Sequence, residues 1–190
     1  MARRLAIVGV LVVALVLGGA SLIRLAEGGA TRFDVDGTTL TMSGPITGAS
    51  AERLQVLLEE TPGLERVVLG DMPGTDDVTW LIQMGVLIRQ AGLETRAEGM
   101  LVNDAILLFA AGESRVMGAG ELAFLSDGAV RAAGAPLDRN PVAETERGSF
   151  LERMLGDGTL AEFGTGMRES RDRYTLTEAD KRRFGLLSGE

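Results

Sequence analysis

Arg66-Val-Val-Leu-Gly-Asp-Met-Pro-Gly-Thr-Asp-Asp77, running directly into Val78-Thr-Trp-Leu-Ile-Gln-Met-Gly-Val-Leu-Ile-Arg-Gln-Ala91, is the stretch whose reading decides the fold. Its opening Arg66-Val-Val-Leu-Gly70 is a short apolar run closed by glycine, the pattern of a buried strand. Asp71 to Asp77 is a turn, and the aspartates at its end suit the cap of a following helix. Val78 to Ala91 then carries Trp80, Leu81, Ile82, Met84, Val86, Leu87 and Ile88, apolar almost all round, which predicts a helix buried on more than one side.

The same alternation extends in both directions. Upstream, Phe33-Asp-Val-Asp36 and Thr39-Leu-Thr-Met-Ser43 flank Gly37 and predict a β-hairpin, followed by a helix bearing Ala51, Leu54, Leu57 and Leu58 that Pro62-Gly63 ends. Downstream, Gly92 to Glu98 reads as a strand, and Asn103 to Gly112 as a short apolar helix with polar residues at its start and glycine at its end. Ser114-Arg-Val-Met117 and Glu121-Leu-Ala-Phe-Leu125 add two strands. Strand and helix taking turns predict an α/β domain whose parallel strands are joined by right-handed helical crossovers. From Ser126 to Arg147 no period is visible, and the segment 126–147 is expected to be a loop insertion or lid. Phe150 to Phe163 has helical spacing, and Thr177-Glu-Ala-Asp180 opens a last helix as a capping box.

The 190 residues suit one domain, and the absence of histidine and cysteine removes the commonest general base, the common zinc ligands, thiol nucleophiles and disulfides. No cofactor is expected. The net charge is −8; Arg3, Arg4, Arg24 and Glu27 sum to +2 in the first thirty residues, so the remainder carries −10. Nucleic acid is an unsuitable partner for such a body. The cations between Arg168 and Arg183 are interleaved with Glu169, Asp172, Glu178 and Asp180 and read as a solvated face.

Arg3 and Arg4 precede an uncharged apolar run from Leu5 to Ile23, about 28 Å long as a helix and close to a ~30 Å hydrocarbon core. Residues 1–30 are therefore expected to be a membrane anchor or signal segment, the anchor being favoured because the run continues past the small residues Gly18-Gly19-Ala20. The positive-inside rule then keeps the N-terminus cytoplasmic and puts residues 31–190 on the periplasmic or extracellular side of the inner membrane.

The order of motifs resembles the Clp-protease and crotonase superfamily, in particular its exported bacterial branch, over roughly residues 38 to 187. The matching pieces are Leu40-Thr-Met-Ser-Gly-Pro-Ile46, Val67-Val-Leu-Gly-Asp-Met-Pro-Gly74, Ile88-Arg-Gln-Ala-Gly-Leu-Glu-Thr95, Glu98-Gly99 through Gly112, and Tyr174-Thr-Leu-Thr177 with Phe184-Gly-Leu186. The resemblance implies repeated β-α units around a parallel sheet and homo-oligomers, trimers or hexamers. It also implies a serine at the start of the short helix, a histidine that takes its proton, and a Pro-Gly-Gly loop whose N–H groups hold an oxyanion. Those positions fall here at Asn103, near Leu125, and at Pro73, Gly74 and Thr75. An amide and a leucine can perform neither proton transfer nor attack, so the resemblance implies a degenerate site and a binding or scaffolding role.

Two other chemistries can be written from the residues. Asp71, Asp76 and Asp77 with Asp104 would form a carboxylate cluster able to bind a cation or act as acid and base, although their spacing fits no calcium loop. Ser43, Ser114 or Ser126 with the lone Lys181 would form a serine-lysine pair, giving a peptide or acyl hydrolase as the alternative function. Lys181 lies in a charge-rich helix and should stay protonated. Asn103 and Asp104 also sit where an N-cap belongs, and their side-chain oxygens are expected to cap the helix and so fill the oxyanion position.

Overall fold

The computed structural model describes residues 30–187, apart from 139 and 141. The membrane segment expected at the N-terminus lies outside the described residues; among those described, no helix is long and apolar enough to cross a membrane.

Strands β1 (Arg32–Asp36) and β2 (Thr39–Ser43) form the expected antiparallel hairpin, turning at Gly37, whose φ of 56° suits a residue without Cβ. From β2 the sheet continues in parallel through β3 (Arg66–Leu69), β4 (Glu94–Ala97) and β6 (Arg115–Met117), in the order β1-β2-β3-β4-β6. Alternate residues Leu40 and Met42, Val67 and Leu69, and Thr95 and Ala97 turn into the core, as period-two patterning requires. Helices α1 (Gly48–Glu60) and α2 (Val78–Gln90) make the crossovers between β2, β3 and β4. Asp77 starts α2 by accepting a hydrogen bond from Thr79 N at 2.9 Å. Val78, Leu81, Met84 and Ile88 of α2 are buried and Trp80, Ile82, Val86 and Leu87 are half-buried, because neighbours pack on several of its sides.

The sheet is not continuous, as the strand pattern had suggested. After β4 the chain kinks at Glu98-Gly99, both of whose N–H groups bond to Leu69 O, and a separate strand β5 (Met100–Val102) begins. With β7 (Glu121–Leu125) and β8 (Arg173–Thr175) it makes a second sheet of order β5-β7-β8, parallel then antiparallel. The kink depends on glycine: a Cβ at position 99 would lie 2.2 Å from Gly70 C and 2.3 Å from Asp71 N. The result is a mixed α/β fold in which β5 delivers the chain into the short helix α3 (Ala105–Ala110), wholly buried.

Two further expectations are corrected. The segment 126–147 is not one loop: it holds α4 (Asp127–Ala132), started by Ser126 accepting from Ala129 N at 3.2 Å, and the first turn of α5 (Ala143–Leu155). Its alanine and glycine content hides a helix whose only buried side chain is Val130. The helical run from Phe150 to Phe163 is two helices, α5 and α6 (Thr159–Ser170), separated at Gly156 with φ 79°. Helix α7 (Glu178–Arg183) closes the described chain with the expected capping box at Thr177 and Asp180.

Candidate functional site

The site lies where β5 meets α3, beside the turn after β3. Met72 N donates to Met100 O at 2.9 Å and Val102 N to Met72 O at 3.0 Å, so the turn runs alongside β5. This contact brings Pro73, Gly74 and Thr75 next to Asn103 and Asp104 as lining residues of one cleft. Gly74 has φ 108°, and a Cβ there would sit 3.5 Å from Val102 O. Thr75, where the resemblance implies a second glycine, is buried, and its single hydroxyl proton is shared between Asp77 O at 2.9 Å and Ile46 O at 3.1 Å. It also accepts from Asp77 N at 3.1 Å, fixing the turn's shape.

Among the described residues, Asn103 alone of the non-glycine residues has positive φ, 51°. Asparagine is among the side chains that tolerate this region. The conformation turns its carboxamide toward the end of β7, where Oδ1 accepts from Leu125 N at 2.9 Å and Nδ2 donates to Leu125 O at 3.2 Å. Asn103 and Leu125, the positions to which the resemblance assigns attack and proton transfer, are thus adjacent, joined through the main chain of Leu125 and not its side chain.

The expectation that Asn103 and Asp104 cap α3 is overturned. Asp104 is the N-cap residue but makes no side-chain cap bond. Its carboxylate instead receives two bonds from Arg147, Nε to Oδ1 at 2.5 Å and Nη2 to Oδ2 at 2.9 Å. A bidentate guanidinium is a stronger partner for a buried carboxylate than a peptide N–H. The oxyanion position is accordingly not filled by these oxygens.

Arg147 and its second partner, Asp138, were not foreseen as site residues. Arg147 Nη2 also donates to Asp138 Oδ2 at 2.6 Å, and the Arg147 and Asp138 side chains are 10% and 5% exposed. Glu144 stands 3.7 Å from Arg147 Nη1 and 3.8 Å from Arg168 Nη2. Burial works against the Arg147 charge, but the Asp104 hydrogen bonds and the charges of Asp104, Asp138 and Glu144 outweigh it and hold its pKa above the usual arginine value. Burial raises the Asp138 pKa, opposed by its bond from Asn140 N and assisted by the Asp104 charge. One signal for Arg147 was present: it falls at helical spacing with Ala143, Phe150 and Leu151, a charge on an otherwise buried apolar stripe.

The remaining candidates disperse. Asp71 accepts from Met100 N at 2.9 Å, Asp77 caps α2, and Asp76 is exposed. Among the described residues no group of three or more carboxylates is placed to hold a metal ion. The hydrogen bonds from Thr79 hold the Asp77 carboxyl below the usual aspartate range. Lys181 is paired with Glu178 on its own helix, Ser43 ends β2, and Ser114 precedes β6. Ser126 alone of the candidate serines lines the cleft, and its Oγ donates to Asp172 Oδ1 at 3.3 Å.

The cleft itself is about 490 Å³. Its floor is Asn103, Asp104 and the 73–75 turn; its walls include Ser126, Arg168 and, from the segment after α4, Pro136, Leu137 and Asp138. A much smaller gap, about 20 Å³, adjoins it where Asn103, Asp104 and Arg147 meet the core residues Ile106, Leu107 and Leu151.

No protein-family model and no curated protein matches the chain. Solved structures do. A putative enoyl-CoA hydratase from Streptomyces coelicolor A3(2) superposes with a TM-score of 0.51 at 16% identity, covering 85% of this chain, which spans 66% of that one. The ClpP protease catalytic domain from Plasmodium falciparum gives 0.54 at 9% identity over 78% of this chain and 82% of its own. A mutant of the membrane-bound stomatin-specific protease 1510-N, solved with a substrate peptide, gives 0.53 at 12% identity over 78% and 71%. On these superpositions the chain has the Clp protease/crotonase-like fold.

Proposed function

We propose that this protein is a non-hydrolytic relative of the Clp-type serine proteases, a membrane-anchored extracytoplasmic pseudoenzyme that binds or scaffolds a peptide ligand in the cleft over Asn103. The observation that carries the reading is the double hydrogen bond between the Asn103 carboxamide and the Leu125 main chain. It occupies both ends of the amide with structural work at the place where a nucleophile and its base would meet, and the chain has no histidine to supply a base from elsewhere. Lys181, the lone lysine, is engaged by Glu178, and Asp104 is engaged by Arg147, which supports a non-catalytic reading of both.

A cleft of about 490 Å³ lined by polar groups suits an extended peptide that presents its main-chain groups to them. A neighbour of the same fold binds a substrate peptide, which supports the ligand class. The run from Leu5 to Ile23 supports the anchor.

The test is made on the full chain in detergent. A fluorophosphonate probe should leave it unlabelled, and a fluorescent peptide library should contain members that bind without being cut. Labelling that disappears when Ser126 is replaced, or turnover of any library peptide, overturns the reading.

A further inference from the structure

Strand β1 closes one end of the five-stranded sheet, and among the described residues no strand pairs with its outer side. Its partner decides which main-chain groups face outward. Met42 O accepts from Gly70 N and Thr38 O from Glu65 N, so the even-numbered residues along β2 turn their polar groups to β3. Thr39, Thr41 and Ser43 therefore turn theirs to β1, where the register sets them opposite Asp36, Asp34 and Arg32. Phe33 and Val35 alternate with these three, and their N–H and C=O groups point away from the sheet. The register runs unbroken over five residues, with neither the bulge nor the proline that blunts an edge.

The side chains divide the same way. Arg32, Asp34 and Asp36 are exposed on one face beside the neutral hydroxyls of β2, and none of them is in an ion pair among the described residues. On the other face Phe33 is half-buried against the core and Val35 is 38% exposed, one of three large apolar side chains left so open among the described residues.

We infer that β1 is a self-association surface, on which a second copy of the chain pairs antiparallel to join two five-stranded sheets into one. Charges of a single sign on an edge keep copies apart, but those of β1 alternate in sign and make the strand its own complement. The outward groups allow only registers that set odd-numbered residues opposite odd-numbered ones. A two-fold axis at Arg32 would oppose the two arginines, one at Asp34 the two aspartates, and one at Val35 would set Asp34 against Asp36. An axis at Phe33 opposes no like charges and places Arg32 of each copy opposite Asp34 of the other. Phe33 then exchanges two main-chain hydrogen bonds with its counterpart, and Val35 lies diagonal to the other Phe33, which covers the exposed apolar side chains.

Sedimentation of the full chain in density-matched detergent at low ionic strength reads the association. The parent chain should be a reversible dimer. Val35→Pro removes an N–H that its own sheet does not use, so it should be monomeric with a urea midpoint close to the parent's. Arg32→Glu sets like charges opposite each other twice and should weaken the dimer on the order of tenfold. Adding Asp34→Arg to it exchanges the two charges and should restore the parent affinity. A monomeric parent chain, association that survives Val35→Pro undiminished, or a double variant that pairs no better than Arg32→Glu overturns the proposal. The readout needs no peptide and no reactive probe, so its outcome is separate from that of the cleft.

Discussion

Asn103 and Leu125 are joined by a closed ring of two hydrogen bonds, amide oxygen to main-chain N–H at 2.9 Å and amide nitrogen to main-chain carbonyl at 3.2 Å. The ring ties the last residue of β5's exit to the last residue of β7, and it relies on asparagine twice, for both polar ends and for its tolerance of φ 51°. Replacing Asn103 by alanine removes two bonds and leaves the backbone in the left-handed region. The expected loss is about 2 to 3 kcal/mol, with Asn103→Gly recovering roughly 1 kcal/mol of it, measured by urea denaturation.

Adding a hydroxyl at position 103 does not supply a base to activate it. Asn103→Ser places an attacking oxygen at the start of α3, but no histidine exists to take its proton and Lys181 is occupied on α7. The variant should remain unlabelled by a fluorophosphonate at neutral pH. Stoichiometric labelling would show that another group in the cleft acts as base.

Arg147 is the costliest side chain to remove from the site. Arg147→Met leaves Asp104 and Asp138 buried without their countercharge, and about 3 to 5 kcal/mol of stability should be lost. Adding Asp104→Asn and Asp138→Asn to it should recover most of that loss, since a neutral set has no charge to strand. A triple variant as unstable as Arg147→Met would mean that the guanidinium acts through packing alone.

Position 99 admits only hydrogen. A methyl there would press on the main chain at Gly70 and Asp71, atoms that no rotamer change can move. Gly99→Ala should therefore cost about 3 kcal/mol, the upper end for overpacking. Gly85→Ala is the gentler comparison, because its Cβ at 2.5 Å from Phe150 Cζ meets the far end of a side chain. A melting temperature lowered more by Gly85→Ala than by Gly99→Ala would contradict this ordering.

Asp77 gives stability a pH signature. Its pKa is lowered by hydrogen bonds from Thr79, so its contribution to stability is complete above the unfolded-state value of 3.8 and disappears as pH falls through the folded-state value. Asp77→Ala should cost about 1 kcal/mol at neutral pH through loss of the α2 cap. The gap between variant and parent, followed by denaturation, should close below pH 3.8.

Local elements were legible where a single period ran through them. The β1–β2 hairpin, α2, β7 and the capping box at Thr177 fall within a residue or two of where spacing placed them. The short strands β5 and β8 carry only three residues each, too few for alternation to show, and the division into two sheets depends on Gly99, whose need for closeness is invisible without its neighbour Gly70. Helix α4 went unread because alanine and glycine give no stripe. At the site, the positions of Asn103 and the 73–75 turn could be placed by order of motifs, but their hydrogen-bonding could not. Asp104 found its partner 43 residues away, and a cap from the helix's own first turn was the local guess that the distant arginine displaced.

Arg89 gives the site one more property. From α2 it donates to Ala110 O and Ala111 O at the far end of α3 and to Met154 O near the end of α5. Three helices that meet at the cleft by one set of ends are thus clamped at the other by a single planar cation. A ligand that pushed the Arg147 end of α5 outward would meet a lever whose fulcrum is already pinned. Such a clamp makes the helical frame a poor shock absorber.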